Sequence, residues 1–193
     1  ADCEVRLHAG AEPRLEEERM DVTQGKLALG FRTGGSCVWE DDFPALMVFN
    51  AVYGGTPTSK LFLNVREKLS LCYFASSILE KCKGILMVSS GIEFGNYGKA
   101  KAEILTQLEN CRQGAIEDWE LVAARQAIIS SLSATLDAQG RLEDFWLGQA
   151  VAGLEEEPQA LAQRIAAVTK EQVVAVANKL ELDTIYFLKG KEG

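Results

Sequence analysis

The sequence predicts an α+β domain, with a mainly antiparallel sheet of about four or five strands and helices packed on one face. Three observations carry this. Strand-like and helix-like segments do not alternate strictly, which disfavours a parallel βαβ arrangement. Two β-rich runs, residues 71–78 and 84–92, have a turn between them at Lys81-Cys82-Lys83-Gly84, the signature of an antiparallel hairpin. Beyond Asn96 the pattern is helical until a closing β-rich run, Thr184-Ile185-Tyr186-Phe187-Leu188.

Each element follows from its own residues. Residues 1–22 are polar and acidic, with Glu16-Glu17-Glu18, and read as a leader or interdomain linker ahead of a domain at 23–193. Leu27, Leu29 and Phe31 alternate with Lys26, Ala28 and Arg32, the period of a half-buried strand, and Gly34-Gly35 closes it. Asp41-Asp42 and Pro44 open an apolar helix, because free N–H groups and the helix dipole favour acids there. Gly54-Gly55 ends that helix, and Thr56-Pro57 is expected to cap a second one carrying Leu61, Phe62, Val65 and Leu69.

After the hairpin, Ala100, Ile104, Leu108 and Cys111 form a helical stripe that stops at Gly114. A long helix over 118–137 puts Leu121, Ala124, Ile128 and Leu132 on one face, and Gly140 is expected to break it. Phe145, Leu147 and Val151 mark another helix, and Pro158 opens a short one with Leu161 and Ile165. Thr169-Lys170-Glu171-Gln172 is a capping box that starts the last helix.

Composition bounds what such a domain does. The chain has 193 residues, with 20 Lys+Arg against 28 Asp+Glu, a net charge of −8. This argues against nucleic acid or an anionic membrane as partner. A chain of this size buries roughly 70% of its unfolded surface and folds without disulfide or metal. No apolar run is long enough for a membrane-spanning helix, and the first residues lack the apolar core of a signal peptide. The chain begins without Met and is expected to be a piece of something longer.

The five cysteines, Cys3, Cys37, Cys72, Cys82 and Cys111, form no C-x-x-C pair and no metal-type spacing with histidine. That points to a reducing, cytoplasmic setting. His8 is the only histidine, so no zinc hydrolase site and no Ser-His-Asp arrangement is expected from this chain alone.

The richest chemistry lies between Gly54 and Tyr73. A glycine pair before a helix N-terminus resembles a phosphate cradle, but the P-loop spacing is missing and a helix–helix turn is the plainer reading. Arg66 sits near the end of the second helix and Tyr73 lies in the following strand, sharing a face with Leu71 and Ala75. The two can converge across the turn, where guanidinium donors and a phenol O–H suit a peptide carbonyl or the oxyanion made from it. The plainer alternative is a surface pair of Arg66 with Glu67 and a core tyrosine, and spacing alone favours it. Cys72 has no histidine base in reach and reads as a structural thiol.

These segments together resemble a known family. Gly54-Gly55, Ser59-Lys60-Leu61-Phe62, Val65-Arg66-Glu67-Lys68 and Leu71-Cys72-Tyr73 resemble the second-half motif of insulinase/pitrilysin-type zinc peptidases, which include the mitochondrial processing peptidase. Residues 24–30 are similar to the family's opening strand. Residues 120–131 resemble its Glu-Leu-x-x-Ala-Lys helix, with Arg125 in place of lysine, and residues 168–177 resemble a later helix. The resemblance covers residues 22–190.

It implies an insulinase-family metallohydrolase-like domain that forms the C-terminal half of a subunit. It also implies that zinc sits in a separate N-terminal half, on a His-x-x-Glu-His motif and a distal Glu. This chain supplies no metal ligand, no catalytic residue of its own and no cofactor. Arg66 and Tyr73 would bind peptide substrate and assist its transition state.

Partners implied are the protein's own N-terminal half, a peptide substrate, and a second copy or a zinc-bearing relative in a dimer. Residues 70–77 and 184–188 resemble a bacterial subgroup whose members often lack an intact zinc motif. The competing expectation is therefore a non-catalytic partner subunit. A stand-alone small-molecule-binding domain is the reading outside the family.

Overall fold

A computed structural model describes residues 6–191 of the chain. Five strands form one sheet: β1 (Arg14–Met20), β2 (Gly25–Arg32), β3 (Cys72–Glu80), β4 (Ile85–Ile92) and β5 (Glu181–Gly190). Their order across the sheet is β1-β5-β2-β4-β3. β1 runs parallel to β5, and every other pairing is antiparallel. The α+β class, the mainly antiparallel sheet and the hairpin are as the sequence predicts.

Six α-helices follow from the apolar stripes: α1 (Phe43–Asn50), α2 (Tyr97–Arg112), α3 (Asp118–Leu136), α4 (Gln139–Ala152), α5 (Pro158–Ala167) and α6 (Lys170–Lys179). Two wider, π-type segments, Ala51–Gly55 and Leu61–Lys68, link α1 to β3. Leu27, Leu29 and Phe31 of β2 are buried against this helical layer, together with Leu86, Val88 and Phe187. Their neighbours Lys26, Ala28, Gly30 and Arg32 are less buried, the alternation expected of a sheet covered on one side. The Thr169–Gln172 capping box closes both ways, at 3.4 and 2.9 Å.

Three local expectations are corrected. Arg14–Met20, inside the segment read as a leader, is a strand at the sheet edge. Its seven residues are all exposed, so no alternation betrays it; Glu17 meets Lys189 and Glu18 meets the Tyr186 hydroxyl, each at 2.6 Å. Thr56 is not a helix cap, because its hydroxyl donates back to the Ala51 carbonyl at 3.0 Å. Ser59 takes the cap instead, accepting from the Phe62 N–H at 3.4 Å. Gly140 lies inside the first turn of α4, and the break falls at Ala138, whose backbone is extended.

Gly54 and Gly55 also have another reason than a left-handed cap, since neither has a positive φ. A Cβ on Gly54 would lie 2.8 Å from the Ser77 backbone nitrogen and 2.7 Å from Leu61 Cδ1. The chain there touches β3 backbone to backbone.

Candidate functional site

Arg66 and Tyr73 converge, through a bulge that parity does not foresee. Cys72 pairs with Ile92 and Phe74 with the adjacent Gly91, so Tyr73 is an extra residue in β3. A bulge residue leaves the ladder and re-aims its side chain. Tyr73 is accordingly 55% exposed while Ala75, expected on the same face, is 5% exposed. Arg66 Nε donates to the Tyr73 carbonyl at 3.0 Å, supplying a partner to backbone that the bulge disturbs.

The helix end is fixed by its own chemistry. Ser70 takes a left-handed backbone at φ 50°, and its N–H donates to the Arg66 carbonyl at 3.1 Å. The Arg66 guanidinium lies 4.7 Å from the Phe62 ring, and Nη1 sits 3.2 Å from Glu67. The Glu67 surface pair is therefore present, but Tyr73 is not a core tyrosine. Both side chains line an open cleft of about 320 Å³ with Gly55, Thr56 and Pro57.

At the start of the segment that carries Arg66 lies a contact that no local pattern in the sequence reveals. Lys60 Nζ meets Glu120 at 2.9 Å, and both side chains are buried. Glu120 also accepts from the Glu117 N–H at 2.8 Å and so closes a capping box at the start of α3. The signal available was an acid three residues after Glu117. Burial nearby pushes the Cys111 thiol up to about 12. Burial raises the Cys72 thiol as well, which fits a structural role better than a nucleophilic one.

His8 is paired with Glu181, Nδ1 to Oε1, at 3.0 Å, far along the sequence from this cleft. Among the described residues no group of three or more His, Cys, Asp or Glu is arranged to hold a metal ion. The described residues thus offer no ligand set that fits zinc. Among them, too, no helix is long and apolar enough to cross a membrane.

The comparison with known proteins turns on residues 5–128, which match the family described as the Peptidase M16 inactive domain. This chain belongs to the M16 peptidase family. Its match is to the family's inactive domain, and the bulge, the cleft and the Lys60–Glu120 contact all lie within it. A Bacillus subtilis protein described as a probable inactive metalloprotease, YmfF, is 41% identical over 94% of this chain and 42% of its own length. An uncharacterised zinc protease of Mycobacterium bovis, Mb2805c, is 29% identical over 87% of this chain and 39% of its own. The chain therefore spans about two-fifths of the curated relatives it matches.

Solved structures agree on the fold. A conserved protein from Enterococcus faecalis V583 superposes with a TM-score of 0.89 at 34% identity, covering 96% of this chain and 44% of that one. A protease from Helicobacter pylori gives 0.82 at 20% identity, covering 91% and 44%.

Proposed function

We propose that this M16 inactive domain is the substrate-facing, zinc-free half of a peptidase-like protein, whose zinc is held by a separate N-terminal half. One observation carries the reading. Arg66 and Tyr73, side chains 40% and 55% exposed, open onto one cleft, and the backbone bond between them fixes their spacing. An extended peptide crossing that cleft meets a guanidinium and a phenol O–H. Arg66 binds a carbonyl or carboxylate of the substrate, its planar donors being always charged. Tyr73 donates through its hydroxyl to the same group, and the pair favours the oxyanion over the neutral carbonyl. Zinc, bound in the other half, would supply the activated water.

The test is the full-length protein, or its complex with the zinc-bearing relative, assayed on peptides. Arg66→Ala or Tyr73→Phe should lower kcat/KM by roughly 10–1000-fold with stability changed by about 1 kcal/mol or less. A loss of stability with activity intact would overturn the reading.

A second reading has its own support, since the relative at 41% identity is described as probably inactive. In that reading the domain pairs, as a homodimer or with an active zinc-bearing relative, and cleaves nothing itself. Wild-type protein that is inactive alone, yet raises the activity of such a relative, would favour it. The unbridged Cys37, Cys72, Cys82 and Cys111 support a cytoplasmic location for either form.

A further inference from the structure

Two thiols that take no part in the Arg66 cleft lie together where β3 turns into β4. The loop after β2 runs alongside that turn. The Thr33 N–H donates to the Gly84 carbonyl and the Val38 N–H to the Lys81 carbonyl, each at 3.0 Å. The two segments therefore run in opposite directions. The Val38–Lys81 bond then sets Cys37, one residue before Val38, opposite Cys82, one residue after Lys81. Residues opposed in this way have Cα atoms about 4.5–5.5 Å apart. A disulfide spans roughly 4.4–6.8 Å between Cα atoms.

The turn is shaped around the Cys37 sulfur. Gly84 has a left-handed backbone at φ 59°, and a Cβ on it would lie 3.1 Å from Cys37 Sγ and 2.8 Å from Thr33 Oγ1. Glycine thus leaves room for the sulfur inside the turn that carries Cys82. The loop holding Cys37 is itself fixed, since the Thr33 hydroxyl donates to the Ser36 carbonyl at 2.5 Å and the Ser36 hydroxyl to Asp42 at 2.6 Å. Cys37 is buried and Cys82 is partly buried. Burial first, then Glu40, Asp42 and the Cys82 thiol, push the Cys37 thiol up, so the two sulfurs feel each other's charge.

We propose that Cys37 and Cys82 are an oxidation site, closing a reversible disulfide when the protein meets a peroxide. The partly open Cys82 reacts first. Its sulfur bonds one peroxide oxygen, the O–O bond breaks, and the product is a sulfenic acid plus one water. The Cys37 sulfur then attacks the Cys82 sulfur. The S–S bond forms, the S–O bond breaks, and the hydroxyl leaves with the Cys37 proton as a second water. Two thiols lose two electrons and two protons, and the peroxide is reduced to two waters. A dithiol reverses the step by exchange.

The other thiols are poorly placed to compete. Cys111 is fully buried. Cys72 opens β3 whereas Cys82 follows its end, which at the usual strand rise puts them roughly 25–30 Å apart. Cys3 lies outside the described residues. The bond has a structural consequence, because the segment from Cys37 to Cys82 contains α1, both π-type segments and β3, and with them Arg66 and Tyr73. Closing so long a loop restricts the unfolded chain and stabilises the fold.

The experiment uses this 193-residue chain with Cys3→Ser. Hydrogen peroxide in slight excess at pH 8, quenching with N-ethylmaleimide and non-reducing peptide mass spectrometry should yield one monomeric product lighter by two hydrogens, with Cys37 linked to Cys82. Oxidation should raise the thermal midpoint by about 4–10 °C, and dithiothreitol should return it. Hydrogen exchange should slow across residues 33–38 and 81–84. Cys82→Ser, at a partly buried position, should abolish the link and the shift while leaving the reduced protein's midpoint unchanged. Cys72→Ser should keep both.

Peroxide that carries Cys82 on to the sulfinic acid while Cys37 stays a thiol overturns the proposal. So does a link from Cys82 to Cys72 or to a second chain, or a Cys37–Cys82 bond that lowers the midpoint.

Discussion

Lys60 and Glu120 form a buried ion pair, the ammonium lying 2.9 Å from each carboxylate oxygen with side chains only 8% and 7% exposed. The pair ties the start of the π-type segment that carries Arg66 to the first turn of α3. Removing one partner of such a pair leaves a charge buried alone, whereas replacing both with apolar groups is often close to neutral. Lys60→Met should therefore cost about 3–5 kcal/mol in urea unfolding. Lys60→Met with Glu120→Leu should recover most of this, short by about 1 kcal/mol for the lost cap on Glu117. A double variant no more stable than Lys60→Met would show that the ion pair is not the cause.

Gly54 lets the helical layer touch β3. A Cβ there would lie 2.8 Å from the Ser77 backbone nitrogen, which cannot swing aside, and 2.7 Å from Cδ1 of the fully buried Leu61. Gly54→Ala should destabilise the domain by about 1–3 kcal/mol, as overpacking does. It should also displace the chain beside the Arg66 cleft, so peptide-dependent activity should fall with it. Gly95→Ala, with nothing within 4 Å, is the control and should leave both unchanged.

Acid should loosen the β1–β5 end of the sheet. The Thr184 hydroxyl bonded to Asp183, with Arg32 and Arg14 nearby, holds the Asp183 carboxyl below its ordinary value of 3.8. Because the folded-state value is the lower one, its contribution to stability is complete above that ordinary value and is lost as pH falls through the folded-state value. Asp183→Asn should thus flatten the stability profile below about pH 4 while lowering stability modestly at pH 7. An unchanged acid limb in circular-dichroism melts would contradict this.

Thiol labelling should sort the cysteines by burial. Cys111 is fully buried and its thiol is pushed up to about 12, and burial raises Cys37 too. Cys72 and Cys82 are only partly buried. Iodoacetamide at pH 8, followed by mass spectrometry of the native protein, should leave Cys111 and Cys37 unmodified and label Cys82. Rapid native labelling of Cys111 would refute the buried arrangement around the Lys60–Glu120 pair.

The sequence by itself determined the elements whose burial is periodic. Leu27, Leu29 and Phe31, the 81–84 hairpin turn, the α3 stripe and the Thr169 box are local patterns, and each is formed as its residues predict. The resemblance at Gly54–Tyr73 likewise pointed to the M16 family before any fold was known. The tertiary structure alone decided the rest, for a common physical reason. β1 has no buried face, so its charged run carries no period; it is a strand only because β5, more than 160 residues away, lies beside it. Tyr73 faces outward because β3 holds one residue more than β4 at that point, a count no single strand can reveal. Lys60 and Glu120 are neighbours only after α3 folds over the π-type segment, and desolvation makes a pair of what the sequence shows as two ordinary charges.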